Sequence, residues 1–332
     1  MLMRFVHFEK PGGPEVLYLS QGNAPEPKAR EVLVEVYAAG INRPDVMQRQ
    51  GFYPPPSGAS EILGLEVSGK IAKCGKGVTR WKAGDAVCAL LTGGGYSEYA
   101  VASDELCLPI PNEFSFEEAA ALPETFYTVW TNLFEDGHLQ KDETVMIHGG
   151  AGGIGTAAIQ MAHAFGAKVI TTVGKKEAII ICKELGADNV ILYKEKDFAI
   201  AAKEFTQDKG VDVILDMVGG DYFERNIEAL SYRGRLIQIA TIRGNKVSLD
   251  LYRMMSKRLV LTGSTLRKRS VSEKAQIARG LEINIWPLLN QGKIKPRIFK
   301  IFSLEEAAAA HALMESSQHT GKIVLSVRDM HR

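Results

Sequence analysis

The spacing of apolar positions differs between the first third of the chain and the part that follows it. In the first third, short stretches alternate apolar and polar residues, as in Glu31 to Tyr37 and Val67 to Ala72, and segments rich in Gly and Pro separate them. Such alternation, interrupted by turn residues, predicts the strands of a compact β domain. Near Ser115 this strand pattern gives way to a short predicted helix. Ser115 and Glu118 have the spacing of a capping box at its start, and Pro123 ends it.

Strand-like and helix-like segments then alternate in strict order as far as residue 263. Six near-continuously apolar stretches have the character of strands: Thr144 to His148, Ala167 to Val173, Asn189 to Tyr193, Val211 to Val218, Arg235 to Ala240 and Leu259 to Gly263. Amphipathic stretches separate them, and two of these, Gly155 to Phe165 and Lys176 to Leu185, are each followed by a glycine that can end a helix. Strands of this kind spaced by helices predict a parallel sheet covered on both faces, and six of them fit a doubly wound dinucleotide-binding fold.

The last part of the chain returns to mixed structure. We predict a helix from Ser272 to about Leu289, a strand from Arg297 to Phe302, a helix from Leu304 to Glu315 and a final strand over residues 321–327. A nucleotide-binding domain inserted between two parts of a β domain accounts for this order. The predicted domains are a catalytic β domain begun by residues 1–124, a nucleotide-binding domain over residues 125–264, and a return segment, residues 265–332, that completes the β domain.

Composition and charge narrow the classes of function. The 332 residues are 45% hydrophobic and 24% charged, a composition that excludes a disordered chain. The formal net charge of +1 excludes a strong positive potential over the whole protein that would attract nucleic acid or an acidic membrane. The apolar runs are far shorter than the ~20 residues that span a bilayer. The first ten residues lack the apolar core of a secretion signal, and the four cysteines form no C-x-x-C pair, so we expect buried thiols in a cytoplasmic protein. Three histidines at predicted strand or helix positions are interpreted as structural: His148, His163 and His311.

A glycine-rich loop follows the first strand of the predicted parallel sheet. It contains the pattern G-x-G-x-x-G at Gly150, Gly152 and Gly155, and an amphipathic helix begins directly there. Free amides at the start of a helix carry partial positive charge, and glycines let a pyrophosphate approach them closely. Strand, loop and helix together predict a dinucleotide site, and the alternative is a tight glycine turn without a ligand.

The end of the second strand of that sheet indicates which dinucleotide binds. NAD-binding sites usually carry Asp or Glu there, about 20 residues after the glycine loop, to hold the ribose hydroxyls. This chain has Thr171-Thr172-Val173-Gly174-Lys175-Lys176 instead. Without a carboxylate to repel it and with two lysines to attract it, a 2′-phosphate is favoured, so we predict NADPH. The alternative is that Lys175 and Lys176 are the solvated start of a helix, although lysines there oppose the helix dipole.

Short motifs in a fixed order give the chain a family resemblance over essentially its whole length. They are Pro11-Gly12-Gly13-Pro14-Glu15, Asn42-Arg43-Pro44-Asp45, Gln48-Arg49-Gln50-Gly51, Tyr53-Pro54-Pro55-Pro56, Gly64-Leu65-Glu66, Ala83-Gly84-Asp85, the glycine loop and Gly321-Lys322-Ile323-Val324-Leu325. With these motifs the chain resembles the zinc-independent quinone oxidoreductases, the zeta-crystallin relatives, of the medium-chain dehydrogenase/reductase superfamily. Residues 47–51 and 58–66 look most similar to the branch of the tumour-suppressor-inducible quinone reductase.

The resemblance implies an α/β protein with a GroES-like β domain and a doubly wound (Rossmann) parallel-sheet domain. It also implies a homodimer in which strands near Val260 to Thr262 pair across the subunits. In the zinc-dependent relatives a Cys stands near Asn42 and a His stands at the position of Leu65. Both metal ligands are missing from this chain, so the resemblance implies an enzyme without zinc.

The resemblance further implies the residues that contact NADPH. In addition to Gly150 and Gly155 of the glycine motif, they are Asn42, Thr128, Gly152, Gly153, Ile154, Gly174, Tyr193, Val218 and Gly219, with Thr241, Ser264 and Leu266 nearer the nicotinamide. Relatives usually carry a Lys at the position of Ala178 that meets the 2′-phosphate. We expect Lys175 and Lys176 to replace it.

Quinone reduction requires little from the protein besides proximity. A quinone accepts hydride without first losing a proton, so holding it against the nicotinamide in a dry slot is sufficient. We expect a small-molecule quinone as the substrate and Tyr53 and Asn42 as the catalytic residues lining that slot, with Gln48 and residues 93–96 nearby. Two structural alternatives remain open: Tyr53 packs over the prolines that follow it, or Asn42 caps a turn.

Two other functions use the same residues differently. The spacing of Asn42, Asp45, Gly51 and Tyr53 is also similar to a segment of the 2-enoyl-thioester reductases of the superfamily, in which the Tyr protonates the substrate carbon. A second alternative is an NADPH-bound binding or structural protein, as the lens crystallins of the family suggest. In that case Arg267-Lys268-Arg269 is an RNA-contacting patch, whereas in a neutral chain a solvated face is the preferred interpretation.

Overall fold

Strands and helices cover most of residues 1–328, the part of the chain that the computed structural model describes. The strands are β1 Leu2–His7, β2 Tyr18–Asn23, β3 Glu31–Ile41, β4 Glu66–Cys74, β5 Ala86–Leu90, β6 Tyr99–Ser103, β7 Cys107–Pro109, β8 Thr144–Ile147, β9 Lys168–Val173, β10 Asn189–Leu192, β11 Val211–Asp216, β12 Leu230–Gln238, β13 Val260–Gly263, β14 Ile298–Ser303 and β15 Lys322–Ser326. The α-helices are α1 Arg43–Arg49, α2 Phe116–Ala120, α3 Pro123–Val129, α4 Gly153–Ala164, α5 Glu177–Glu184, α6 Phe198–Phe205, α7 Tyr222–Ala229, α8 Leu251–Lys257, α9 Val271–Asn284, α10 Trp286–Asn290 and α11 Ala307–Ser316. None of these helices has the length and apolar character needed to cross a membrane.

The chain divides into two compact units. The first, which we call the β unit, consists of Met1–Tyr127, Arg267–Gly292 and the chain from Pro296 onward. The second, the parallel-sheet unit, consists of Thr128–Leu266 and Lys293–Lys295. The change from one unit to the other falls within α3, which continues as a π-helix over Trp130–Asp136.

The parallel-sheet unit has the predicted doubly wound topology. Its strands lie in the order β10-β9-β8-β11-β12-β13, and every neighbouring pair is parallel. Apolar side chains such as Met146, Ile170 and Ile214 are fully buried, because helices cover the strands. Gly166 and Gly186 follow α4 and α5 with φ of 78° and 105°, the left-handed conformation that ends a helix without a Cβ penalty.

Two elements differ from the sequence prediction for physical reasons. Strand β12 begins at Leu230, before the predicted start at Arg235, because Leu230 already pairs with Val211 across a register shift. The helix predicted from Ser272 to Leu289 is two helices, α9 and α10, with Ile285 between them. The second begins at Trp286 with Pro287 in its first turn, where the missing proline N–H costs no hydrogen bond.

The β unit is built on a seven-stranded sheet in which distant segments of the chain meet. Its order is β14-β15-β3-β4-β5-β7, with β6 also paired to β3. Strand β15 is antiparallel to β3 and pairs Ile323 with Ile41, so the return segment completes a sheet begun near the amino terminus. Alternate residues of β3, such as Val32, Val34 and Val36, are fully buried in the core of the unit.

Candidate active site

Most residues predicted to hold the dinucleotide lie at the carboxyl edge of the parallel sheet. The glycine loop follows β8, Gly174, Lys175 and Lys176 follow β9, Tyr193 follows β10, Val218 and Gly219 follow β11, Thr241 follows β12, and Ser264 and Leu266 follow β13. Thr128 belongs to the same unit and lies near the end of α3. The strand order reverses between β8 and β11, and this topological switch point is where doubly wound sheets bind nucleotides.

Two of the three motif glycines must be glycine because a side chain there would collide with other atoms of the protein. A Cβ on Gly150 would stand 2.1 Å from Thr171 Oγ1, and one on Gly155 would stand 2.3 Å from the Gly149 carbonyl oxygen. Gly152 differs, because a Cβ there would meet only the Gly149 carbonyl oxygen, at an ordinary 3.5 Å. The space beside Gly152 is therefore free of protein atoms, which fits a backbone that a pyrophosphate approaches closely.

The start of α4 presents free donors beside that space. Gly152 is the N-cap residue and supplies no side-chain cap, and the first amides of a helix, including those of Gly153 and Ile154, have no partner within the helix. The Gly150 amide instead donates to the Thr172 carbonyl, 3.0 Å away, and pins the loop to β9. The edge is thus shaped and charged for an anionic group such as a pyrophosphate.

The lysines predicted to meet the 2′-phosphate lie at the start of α5. Lys175 and Lys176 are both exposed, and Lys176 Nζ lies 3.0 Å from Glu195 Oε1. Ala178 is buried in α5 and offers no polar group at this position. Of the two lysines, Lys175 has no ion pair with any residue of the described chain, so it is the freer cation.

An acidic residue that sequence reasoning missed shapes the neighbouring loop. Asp216 is fully buried at the end of β11, and its carboxylate accepts hydrogen bonds from the Val218 amide at 2.6 Å and from the Gly219 amide. Asn226 Nδ2 donates to the same carboxylate at 3.0 Å. An Asp that ends an apolar strand two residues before a Val-Gly-Gly turn is the signal that would have identified it.

In the β unit, Asn42 is the centre of a buried polar cluster. Its Nδ2 donates to Glu66 Oε1 at 2.8 Å, and its Oδ1 accepts a hydrogen bond from Lys322 Nζ at 2.6 Å. Asn42 is also the N-cap residue of α1, where its side chain and that of Asp45 form a capping box, so the alternative that Asn42 caps a turn holds alongside these contacts. Because an ammonium only donates and a carboxylate only accepts, the orientation of the Asn42 amide is determined.

Asp45 fixes the backbone of Asn42. One carboxylate oxygen accepts the Asn42 backbone amide at 2.8 Å, and the other accepts the Gly64 amide at 3.1 Å. Burial raises the pKa of Asp45 to about 6, against the lowering effect of these two amides and of Lys322. The protonation state of Asp45 therefore bears on the hydrogen bond that holds the Asn42 backbone.

Glu66 connects the cluster to a second carboxylate. Glu66 Oε1 accepts from Lys322 Nζ at 2.6 Å, and Glu66 Oε2 accepts from the backbone amide of Glu124 at 2.8 Å. The pKa of the Glu124 side chain is raised to about 8 by burial and by the charges of Glu66 and Asp45, against the opposing effect of Lys322 and Lys274. At neutral pH the Glu124 carboxyl is therefore largely protonated.

Tyr53 lies in a loop where the cation of Arg267 covers its ring. The Arg267 guanidinium carbon is 5.5 Å from the ring centroid, and its Nε and Nη2 donate to the Thr92 carbonyl at 2.9 and 2.7 Å. Lys274 in turn donates to the Arg267 carbonyl at 2.8 Å. Burial and the charge of Glu124 raise the pKa of Tyr53, so its hydroxyl stays protonated at neutral pH. Arg267, itself held by the Thr92 carbonyl, thus packs over the Tyr53 ring and helps to hold it in place.

This arrangement corrects the predicted basic surface patch. Arg267 is only 5% exposed and its guanidinium is used within the β unit, so Arg267-Lys268-Arg269 does not form a continuous exposed patch for RNA. Two side chains expected near the substrate are also buried and engaged. Gln48 donates to the Glu61 carbonyl at 2.9 Å, and the Tyr96 hydroxyl contacts Asp45 and His311.

The cluster contains residues to which the sequence analysis assigned no role. Glu66, Asp45 and Lys322 stand inside motifs that carried the resemblance, and their charge within apolar surroundings was the available signal. His148 and His311 are fully buried, and His148 contacts Thr172 Oγ1 at 3.1 Å and Asn226 Oδ1 at 2.7 Å. His163, by contrast, is exposed near the end of α4.

Family models match both units of the chain. Residues 28–112 match the alcohol dehydrogenase GroES-like domain, and residues 153–279 match the zinc-binding dehydrogenase family. The name zinc-binding dehydrogenase implies a zinc ion, but the residues of the β unit do not form a site for one. The buried Lys322 ammonium already bonds Asn42 and Glu66, and no group of three or more His, Cys, Asp or Glu side chains within residues 1–328 is arranged to hold a metal ion.

Comparison with known proteins relates the whole chain to one group of enzymes. It is 34% identical over 327 residues to the quinone oxidoreductase of Rattus norvegicus, covering 98% of each chain. The structure of the Escherichia coli quinone oxidoreductase complexed with NADPH is 33% identical with a TM-score of 0.87, over 98% of this chain and all of that one. The CurK enoyl reductase structure has the same TM-score at 29% identity, over 98% of this chain and 99% of that one. With the glycine loop, the doubly wound sheet and the GroES-like unit all present, the chain belongs to the quinone oxidoreductase family of the medium-chain dehydrogenases/reductases.

Proposed function

We propose that this protein is an NADPH-dependent quinone oxidoreductase. The observation that carries the proposal is its similarity, at about one third identity over 98% of its length, to proteins named quinone oxidoreductase. The geometry of the two units supports it, because the parallel-sheet unit offers an anion-binding edge and the β unit offers an oriented amide donor. NADPH supplies a hydride when it is bound, and the remaining requirements fall on residues of this chain.

The carboxyl edge of the parallel sheet holds the cofactor in this proposal. The first amides of α4 and the space beside Gly152 receive the pyrophosphate, and Lys175 receives the 2′-phosphate. Gly174, Tyr193, Val218, Gly219, Thr241, Ser264 and Leu266 complete the contacts from the other strand ends, and Thr128 contributes from near the end of α3 in the same unit. A buried Ala178 leaves the phosphate contact to the exposed lysines at the start of α5.

Asn42 is the residue proposed to act on the substrate oxygen. One Nδ2 hydrogen is used by Glu66, so the second hydrogen is available to donate to a quinone oxygen. That oxygen gains negative charge as hydride arrives, and a donor held in place by Lys322 and Glu66 stabilises the charge without first reorganising. The catalytic role of Asn42 is therefore electrostatic.

Tyr53 is proposed to pack against the quinone and to donate a hydrogen bond. Its raised pKa keeps the proton on the hydroxyl and makes it a weak acid, which quinone reduction tolerates because the reduced oxygen takes its proton from water. A second candidate function, enoyl reduction, is favoured by the similarity to the CurK enoyl reductase and requires Tyr53 as the acid. The two functions thus differ in how much they depend on the Tyr53 hydroxyl.

We propose that the reaction is independent of zinc and that the enzyme is a cytoplasmic homodimer. Zinc would have to displace the Lys322 ammonium from Asn42 and Glu66. Strand β13 lies at one end of the parallel sheet with Val260 49% exposed, which supports pairing of two copies along this strand. None of the four cysteines forms a disulfide, which supports a reducing compartment.

The decisive experiment measures oxidation of NADPH by the purified protein with 1,2-naphthoquinone and, separately, with a 2-enoyl thioester. Quinone turnover that survives chelation of metals and is retained within about threefold by Tyr53→Phe supports the proposal. Turnover of the thioester alone, lost in Tyr53→Phe, establishes the enoyl reductase. Sedimentation of the same sample tests the dimer, which is contradicted if the monomer mass is found.

A further inference from the structure

A chain of buried polar side chains extends beneath Asn42 in the β unit. Arg49 Nη1 lies 3.3 Å from His311 Nδ1, His311 Nε2 lies 3.1 Å from the Tyr96 hydroxyl, and that hydroxyl lies 3.2 Å from Asp45 Oδ2. Arg49, Tyr96 and His311 are all 0% exposed, and Asp45 is 1% exposed. The same Asp45 oxygen accepts the backbone amide of Asn42. The chain therefore ends directly at the residue proposed to act on the substrate.

The direction of every hydrogen bond in this chain is determined by Arg49. A guanidinium has donors and no acceptor, so His311 Nδ1 must accept and the imidazole proton must lie on Nε2. The Nε2 proton is donated to the Tyr96 oxygen, which leaves the Tyr96 hydroxyl hydrogen for Asp45. Burial and the neighbouring Arg49 lower the pKa of His311 to about 3, which agrees with a neutral imidazole. Asp45 thus receives a third donor in addition to the two backbone amides.

The outer end of the chain is anchored by an ion pair near the surface. Arg49 Nη2 lies 2.9 Å from Glu315 Oε1 at the end of α11, and Arg49 Nε donates to the Gly12 carbonyl at 3.0 Å. Gln50 donates to the same Glu315 oxygen at 2.7 Å. Because these partners hold the guanidinium in one position, the donor that sets the direction of the chain is itself immobilised.

We propose that Tyr96 is a positioning residue for the reaction, whose hydroxyl, oriented by Arg49 through His311, keeps Asp45 ionised and bonded to the backbone of Asn42. The inference rests on the proposed function in that Asn42 acts on the substrate. It adds that the amide donor is held from two sides, through its side chain by Glu66 and Lys322 and through its backbone by Asp45. The charged and titratable groups that face Asp45 are Tyr96, Lys322, Glu66, Glu124 and Arg267.

Tyr96→Phe tests the proposal because it removes one oxygen and keeps the ring. Without the third donor the pKa of Asp45 rises further, so the acid limb of kcat/KM for the quinone should move to higher pH and kcat/KM at pH 7 should fall about tenfold. The matched control is Tyr127→Phe, which removes an equally buried hydroxyl that contacts the Leu106 carbonyl in the same unit. Equal pH profiles for Tyr96→Phe and Tyr127→Phe overturn the inference.

A second measurement keeps the inference testable when there is no turnover to follow. In protein labelled with nitrogen-15, NMR should show His311 neutral and protonated at Nε2 at pH 7, and the backbone amide resonance of Asn42 should shift in Tyr96→Phe but not in Tyr127→Phe. An imidazole protonated at Nδ1, or an unshifted Asn42 amide, overturns the inference. Absence of quinone turnover in the wild type overturns the proposed function instead, so the two failures are distinct.

Discussion

Lys322 Nζ lies 2.6 Å from Glu66 Oε1, although 256 positions of the chain separate the two residues and both are buried. Their attraction in low-dielectric surroundings offsets the cost of removing each charge from water only while both partners are present. Asn42 bonds to both partners, so its orientation depends on the pair. Stability of the β unit and geometry of its site therefore rest on the same contact.

Lys322→Met should lower the free energy of unfolding by about 3–5 kcal/mol, because it leaves the buried Glu66 carboxylate without a counter-ion. Denaturant titration of the variant measures the loss. The double variant Lys322→Met/Glu66→Gln should recover part of it, since no charge is then stranded. Lys73→Met, which breaks the exposed pair with Glu26, is the control and should have no measurable effect. A loss in Lys322→Met no greater than in this control would contradict the prediction.

Gly152→Ala should separate ligand binding from folding. The backbone at Gly152, with φ of −78°, accepts alanine, and the added methyl meets protein atoms only at 3.5 Å. We expect an unchanged Tm and NADPH binding at least about tenfold weaker by fluorescence titration, since the methyl occupies space beside the helix amides. Gly155→Ala is the contrast, because its methyl meets the Gly149 carbonyl and should lower Tm. If Gly152→Ala binds NADPH with wild-type affinity, the pyrophosphate does not lie beside Gly152.

Lys175→Ala should discriminate between the two nicotinamide cofactors. We expect KM for NADPH to rise about tenfold while KM for NADH changes less than about twofold, because only NADPH carries the 2′-phosphate. Lys176→Ala should have a smaller effect, since Lys176 is paired with Glu195. Steady-state kinetics with both cofactors make the comparison, and equal rises in the two KM values would show that the lysines do not read the phosphate.

Glu124→Gln should flatten the dependence of stability on pH. An unfolded Glu ionises near its ordinary pKa, whereas folded Glu124 keeps its proton up to about pH 8, so the folded state binds the extra proton and wild-type stability falls as pH rises between these values. The fall is at most about 1.4 kcal/mol per pH unit. Between pH 6.5 and 8 the contributions of Asp45, whose pKa is about 6, and of His148 and His311, whose pKa values are lowered in the folded state, are common to wild type and variant, so the difference between their slopes reports Glu124.

Urea titrations of wild type and Glu124→Gln at several pH values in that interval provide the check. The variant carries no ionisable group at residue 124, and its unfolding midpoint should change less with pH than that of the wild type. Glu118→Gln, at the capping box of α2, is the control that makes the same chemical change at another position of the chain. Parallel slopes for wild type and Glu124→Gln would mean that Glu124 titrates normally.

The parts of the fold that follow from local patterns were predictable from the sequence. The six parallel strands, the glycine loop and the capping box at Ser115 all arise from residues close together in the chain. Helix α1 escaped prediction because it has only seven residues and includes Pro44. The break between α9 and α10 depends on Pro287, whose effect a periodicity over eighteen residues does not register.

The cluster around Asn42 was predictable only in part. Asn42 and Tyr53 were identified through short motifs, but the partners that hold them, Lys322 and Arg267, lie more than 200 positions away. No local pattern determines which buried cation meets which carboxylate, because that depends on sheet pairing between β3 and β15. Arg267 illustrates the limit, since a run of three basic residues favours a surface and the fold buries its first member.

The pairing of β15 with β3 also has a consequence for synthesis of the protein on the ribosome. All segments of the parallel-sheet unit have been synthesised by residue 295, whereas the β unit still lacks β14 and β15 of its sheet, and β15 is complete only at residue 326. Until then Glu66 has no Lys322 beside it and Asn42 has no partner for its Oδ1. The nascent chain thus completes its nucleotide-binding half first, and the site that would use the bound cofactor is assembled last.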